Sequence, residues 1–398
     1  MTAPESFDVI VLGGGIAGAA TAWALARGGD GRPPLRTLLV DAYAPGHEHG
    51  SSHGDGRIVR FTYPEPTYLE MARRVYPLWS EIEDASGESL LQITGSWECG
   101  PGGCPHLGAL REGLAAAEIP FESWTAAESR RRFPHFELPL GSEVVYQSSG
   151  AVVRAGRAVA ALWDLAQGAG ALAVSGQRID HVSADDEGVE VRGGGYRWRG
   201  ERLVITAGGW SGELLRQLDL ELPLEVTREV VAYFPVSKRT ASSHVDHRAG
   251  MMPTLVDYHH PQPFYAVPQI DVPGVKVGWH RTGPPVRPGE TGDADPVVAK
   301  RIQDYVADRL PYLELRPLKV MTCLYTNTPD YHFVLDRHPA LSRVVVGTGF
   351  SGHGFKFGPV LGEILACLAA EVPPPVDLDT FRIDRLFGAR PPAPRLTA

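Results

Sequence analysis

Three groups of residues in this sequence have the types and spacing to do chemistry together. Gly13, Gly15 and Gly18 fall as GxGxxG in VLGGGIAG, and a carboxylate, Asp41, ends the next apolar run, RTLLVD. A turn without Cβ atoms lets a pyrophosphate approach backbone N–H groups, and a carboxylate at this offset can accept from ribose hydroxyls. The second group, GHEHGSSHGDGRIVRFTY at 46–63, holds His53, Arg57 and Arg60 on a polar, glycine-rich stretch. Such cations meet a phosphate, a cofactor ring or a substrate, or else form a solvated basic turn. The third, VVVGTGFSGHGFKFGPVL at 344–361, carries Gly347, Gly349, Gly352 and Gly354 ahead of Lys356. Glycines at a helix start with one cation make a floor for an anionic ring or a carboxylate; the plainer reading is a tight strand–helix connection.

The elements that must position these groups follow from periodicity. FDVIVL, the glycine turn and AATAWALARGG read as strand, turn and helix, with RTLLVD as the next strand. Leu203–Thr206 runs into AGGWS, a second glycine turn at Gly208, so the turns near Gly13, Gly208 and Gly349 are expected to converge on one ligand. Thr67–Ala85 has helical spacing with Pro77 inside it, and Cys99 and Cys104 fall in a Gly/Pro loop. Between 222 and 328 the pattern changes to alternating strands, as in a mostly antiparallel sheet with one face covered. In GVKVGWHR, Val275, Val277 and Trp279 share one face, and Lys276, Gly278 and His280 the other. A lysine there is either solvated, as most lysines are, or poised over a site.

The expected fold is α/β with α+β character: a Rossmann-type domain from residues 1–90, 150–221 and 329–390, and a mostly antiparallel substrate domain from 91–149 and 222–328, with 391–398 as a tail. A net charge of −9 argues against nucleic acid as partner. Four cysteines in no paired spacing argue against a disulfide framework or a structural metal site. No run approaches the ~18 apolar residues of a membrane span, and MTAPESFDVIVL lacks a basic leader, so a cytoplasmic protein without a membrane partner is expected.

Taken together, FDVIVLGGGIAG, HGDGR, RLVITAGGWS, VKVGWH, CLYTNTPDYHFVLDRHP and GFSGHGFK resemble, nearly end to end, the monomeric sarcosine oxidase and N-methyltryptophan oxidase family of D-amino acid oxidase-like flavoproteins. The resemblance implies FAD as cofactor, attached covalently through Cys323. It implies Lys276 as the residue that promotes reaction with O2, and His53, Arg57 and Ser51 as loop residues beside the flavin. Arg60 and Lys356 would hold the substrate carboxylate, and Tyr265, Tyr325 and His280 would surround the substrate. The implied activity is oxidation of a secondary amino acid, N-methyl or cyclic, to an imine, with O2 reduced to hydrogen peroxide by a monomer. Alternatives are a related dehydrogenase, a glycine or D-amino acid oxidase-like enzyme acting on a primary amine, or a non-catalytic flavin-binding protein. This sequence departs from the family pattern at Ser52, in the 32–34 insertion and over 248–260, which leaves the substrate side chain open.

Overall fold

The computed structural model describes residues 6–29, 31–237, 245–290 and 292–388. The expected tail at 391–398 lies outside them. Two eight-stranded sheets and one three-stranded sheet form the frame. The parallel core of the first sheet runs Leu172–Val174, Thr37–Val40, Ser6–Leu12, Tyr196–Ile205, Val344–Thr348. Of these, Thr37–Val40, Ser6–Leu12 and Val344–Thr348 are almost continuously apolar and largely buried, as strands covered on both faces require. YRWRGERLVI is one continuous strand, Tyr196–Ile205, with two kinds of partner. Its first half pairs antiparallel with Val189–Gly193, and its second half pairs parallel with Val344–Thr348.

The helix Ile16–Arg27 packs against helices Ala155–Gly168 and Gly358–Ala369, and nearly all of it is buried. Small residues permit that closeness: a Cβ on Gly362 would stand 2.6 Å from the backbone of Ala20, and one on Gly18 would stand 1.8 Å from the carbonyl oxygen of Gly13 in the turn. Gly13 itself has φ +98°, a backbone region open to glycine at little cost.

The second sheet is ordered Lys319–Asn327, Glu225–Phe234, Val275–Trp279, Phe264–Val267, Thr254–Asp257, Ser96–Pro101, Ser142–Gln147, Glu122–Thr125. All its pairs are antiparallel except Thr254–Asp257 with Ser96–Pro101. One face packs Val230, Ala232, Val275 and Val277 against Val298, Ile302 and Val306 of the helix Pro296–Arg309. The other face turns Lys276, Tyr265 and Cys323 toward the first sheet's strand ends.

Two local expectations are corrected. The stretch 46–63 is not all loop, since Gly56–Val59 is a strand pairing with Ala151–Arg154 in the small third sheet. Cys99 is not in a loop either: it is a buried residue of Ser96–Pro101, while Cys104 caps the helix Pro105–Ala116. In both cases short-range Gly and Pro content masked strands whose partners are distant in sequence.

Candidate active site

One cavity runs from the carboxyl ends of the parallel strands to the second sheet. That is where ligands of open α/β sheets bind. Gly13, Asp41, Gly208 and Gly352 line it from the ends of four adjacent parallel strands, so the three glycine turns open on one cavity, although Gly349 itself stands back. At the glycine-turn end, Asp41 accepts from Gly14 N at 2.6 Å and from Tyr43 N at 2.8 Å, and Ser52 Oγ accepts from Ile16 N at 3.1 Å. Asp41 therefore braces the turn as well as facing the cavity. Thr206, which the sequence did not single out, donates to Gly13 O at 2.9 Å and ties the turn to the neighbouring strand. The Ile16–Arg27 helix opens beside Gly15 with no acidic residue in its first turn. A bare positive helix end, a glycine turn and a long cavity beyond it fit the pyrophosphate and extended body of FAD.

Midway, Lys276 is buried, 5% exposed, and donates to Gly56 O at 3.1 Å. The solvated reading of this lysine is overturned, because the sheet face it occupies is covered. Burial and then the Arg57 guanidinium lower its pKa to about 7. Arg57 donates to Gly56 O at 3.1 Å, Ser51 O at 3.1 Å and His53 O at 2.6 Å, and lies over the Phe355 ring. It is the clasp of its own loop. Ser51 in turn donates to Leu324 O, next to Cys323. His53 is buried behind the cavity wall with neither ring nitrogen partnered among the described residues; burial, Arg57 and Lys276 hold its pKa down to about 4. Cys323 lines the cavity as a free thiol. Burial pushes its pKa up, while Arg57 and Lys276 pull it down. The thiol is thus not held as a thiolate by its surroundings alone.

At the far end, Lys356 donates to Tyr63 OH at 2.7 Å and His353 O at 3.0 Å. Burial, then Arg60, hold its pKa well below the usual lysine value. His280 Nδ1 meets Tyr325 OH at 3.3 Å, and its Nε2 has no partner among the described residues. Burial keeps this imidazole neutral, with Arg281, Lys356 and Arg60 adding to the effect. Tyr265 and Tyr325 line the same end, each against a glycine. A Cβ on Gly278 would meet the Tyr265 ring at 2.6 Å, and one on Gly352, at φ +82°, would meet the Tyr325 ring at 2.2 Å. Gly354 likewise makes room for Phe350. Gly352 and Gly354 of GFSGHGFK thus seat aromatic side chains as well as flooring the cavity. The backbone beyond Gly354 starts as a 3₁₀ turn, Phe355–Phe357, before the helix Gly358–Ala369.

Arg60 departs from expectation. It lines the cavity, but its guanidinium is ion-paired with Glu98 and donates to Thr62 Oγ1 at 2.7 Å. It is not simply one half of a cationic clamp. Glu98 carried one signal in the sequence, a lone charge between Trp97 and Cys99 in SWEC, where a strand would turn it away from both neighbours.

Residues 8–368 match the DAO family, FAD dependent oxidoreductase. The chain is 34% identical over 392 residues to the peroxisomal sarcosine oxidase of Homo sapiens, covering 96% of each. It is 31% identical over 384 residues to the monomeric sarcosine oxidase of Bacillus sp. (strain NS-129), covering 95% of this chain and 97% of that one. Among solved structures it is similar to NikD, an unusual amino acid oxidase essential for nikkomycin biosynthesis, with a TM-score of 0.83, 26% identity, and coverage of 95% of this chain and 98% of that one.

Proposed function

Because the chain belongs to the DAO family of FAD-dependent oxidoreductases, we propose that it is an amine oxidase that converts a secondary amino acid, N-methyl or cyclic, to an imine, with O2 reduced to hydrogen peroxide. One observation carries this reading: a single cavity joins the glycine turn of the first sheet to buried Lys276, neutral His280 and Lys356 on its other walls. In this reading the segments 1–90, 150–221 and 329–390 hold FAD and the segments 91–149 and 222–328 receive the substrate. The near full-length relatedness to a monomeric sarcosine oxidase supports action as a monomer.

FAD, when bound, supplies the two-electron acceptor for the amine and the route of those electrons to O2. The residues of the chain do the rest. Gly13, Gly15 and the Ile16 helix end take the pyrophosphate. Lys356 attracts the substrate carboxylate with a charge-assisted hydrogen bond. The cations around His280 favour the uncharged amine, and its open Nε2 is placed to accept the amine N–H. Tyr265 and Tyr325 exclude water from the carbon that is oxidised. Lys276 puts positive charge on the wall where negative charge develops on reducing oxygen, a preorganised stabilisation that costs no reorganisation at the moment of reaction. Cys323 is the residue assigned to covalent attachment of the cofactor.

The test is peroxide release by the FAD-loaded protein over sarcosine, N-methyl aromatic amino acids, proline and pipecolate. Peroxide from at least one of them is expected. Silence across the panel, with FAD bound and no bleaching of its absorbance under anaerobic conditions, would sink the reading.

A further inference from the structure

Glu98 lies on the cavity side of the second sheet. Cross-strand register sets it beside Val256, Val256 beside Tyr265, and Tyr265 beside Gly278, so it shares a row with Val256 and Tyr265, both of which line the cavity. Its sequence neighbours Trp97 and Cys99 enter the core on the opposite face. The carboxylate is fully buried and ion-paired with Arg60, itself 2% exposed. Oε1 also accepts from Thr62 Oγ1 at 2.8 Å and Ser96 Oγ at 3.1 Å, and Oε2 has no hydrogen-bond partner among the described residues. A buried carboxylate this costly to desolvate persists only with a matching cation.

The charges at this end of the cavity can be counted. Arg60 and Lys356 both line it, with Tyr63 between them: Arg60 Cζ is 5.7 Å and Lys356 Nζ 5.1 Å from the centre of its ring. Two such cations could answer two negative charges on a ligand. Glu98 already answers one from inside the protein. Arg281 is close by but is drawn onto Ser351 O at 3.2 Å and over the Tyr331 ring at 3.8 Å. Arg57 and Lys276 belong to the middle of the cavity, near Asp55 and Cys323.

We propose that Glu98 is a specificity-determining residue. It supplies the counter-charge of Arg60 from behind the cavity wall, so that the substrate end accepts one carboxylate, held by Lys356, and disfavours dicarboxylates. A second ligand carboxylate would be desolvated without a cation to meet it and would face Glu98, a built-in repulsive element of the kind that sets specificity. This inference rests on the amine-oxidase reading for the identity of the substrate, but its test does not need turnover.

The FAD-loaded protein is titrated with acetate and with malonate, which adds one carboxylate to the same skeleton, and binding is followed by perturbation of the flavin absorbance. Wild type is expected to bind acetate at least about tenfold more tightly than malonate. Malonate binding equal to or tighter than acetate, or no acetate binding, overturns the proposal. In Glu98→Gln the preference is expected to shrink by about tenfold or more, because Arg60 becomes available to the second carboxylate. An unchanged preference overturns it. Should Glu98→Gln fail to fold, the wild-type comparison still decides. Discrimination between the two anions in a protein that oxidises no amine would uphold the charge assignment while overturning the functional reading.

Discussion

Lys276 and Arg57 share one acceptor: both side chains donate to the carbonyl oxygen of Gly56, each at 3.1 Å. Two cations meeting on one oxygen in a buried site repel each other, and lysine is the one able to give up its proton. Burial first, and Arg57 next, bring Lys276 to a pKa of about 7.

The first prediction follows from that value. Lys276 is charged below about pH 7 and neutral above it, so if its charge assists oxygen reduction, the reoxidation rate falls as pH rises through about 7. Lys276→Met should lower the rate at pH 6 by about 100-fold and flatten the profile, a loss in the range of one electrostatic stabiliser. Rapid-mixing reoxidation of reduced enzyme across pH 5.5–9, roughly the span that brackets this titration, measures both. A Met variant that keeps the wild-type slope would remove Lys276 from the step.

Folding stability should respond to the same group. The folded pKa of Lys276 lies below the ordinary 10.5, so between the two values the unfolded chain binds more protons and stability rises with pH from about 7 toward 10.5. Lys276→Met removes that contribution. Denaturant midpoints of the variant should rise less between pH 7 and 9 than those of wild type, and parallel curves would contradict it.

Covalent attachment makes a visible prediction. Cys323 lines the cavity as a free thiol, and acid-precipitated wild type should be a yellow pellet. Cys323→Ser should leave the colour in the supernatant. Arg57 works against the burial that pushes the thiol pKa up, so Arg57→Met should slow attachment on adding FAD to apoprotein. A colourless wild-type pellet after full FAD loading contradicts the assignment.

The glycine turn can be probed against a neutral site. A Cβ at Gly18 would lie 1.8 Å from Gly13 O, whereas one at Gly108, in the helix Pro105–Ala116, meets nothing within 4 Å. Gly18→Ala should cost about 1–3 kcal/mol through overpacking and lower FAD content. Gly108→Ala should gain up to about 1 kcal/mol, as expected of Gly→Ala in a helix. Thermal unfolding and the ratio of FAD to protein report both.

Asp41 bridges the backbone N–H groups of Gly14 and Tyr43. Asp41→Ala strands both donors at about 1–3 kcal/mol each if water does not replace the carboxylate. A lower melting temperature in the apoprotein is therefore expected, in addition to weaker FAD retention. Loss of FAD with unchanged apoprotein stability would leave Asp41 as a cofactor contact only.

The sequence by itself determined the local pieces. A buried parallel strand needs a continuous apolar run, a close-packed helix start needs glycine, and alternation sends Lys276 and Val277 to opposite faces; each is a property of a few adjacent residues. FDVIVLGGGIAG, VKVGWH and GFSGHGFK were readable for that reason. Tertiary structure alone decided what those residues face. Whether Lys276 met water or a cavity depended on the first sheet's strand ends closing over it, and whether Arg60 was an open clamp depended on a strand that pairs Glu98 with Val256, far along the chain. Ion pairing and burial are sums over neighbours brought together by register, and register between distant strands leaves no mark within a short window of sequence. The glycine turn and the strands that flank it could thus be read in advance, while the charge balance around Arg60 could not.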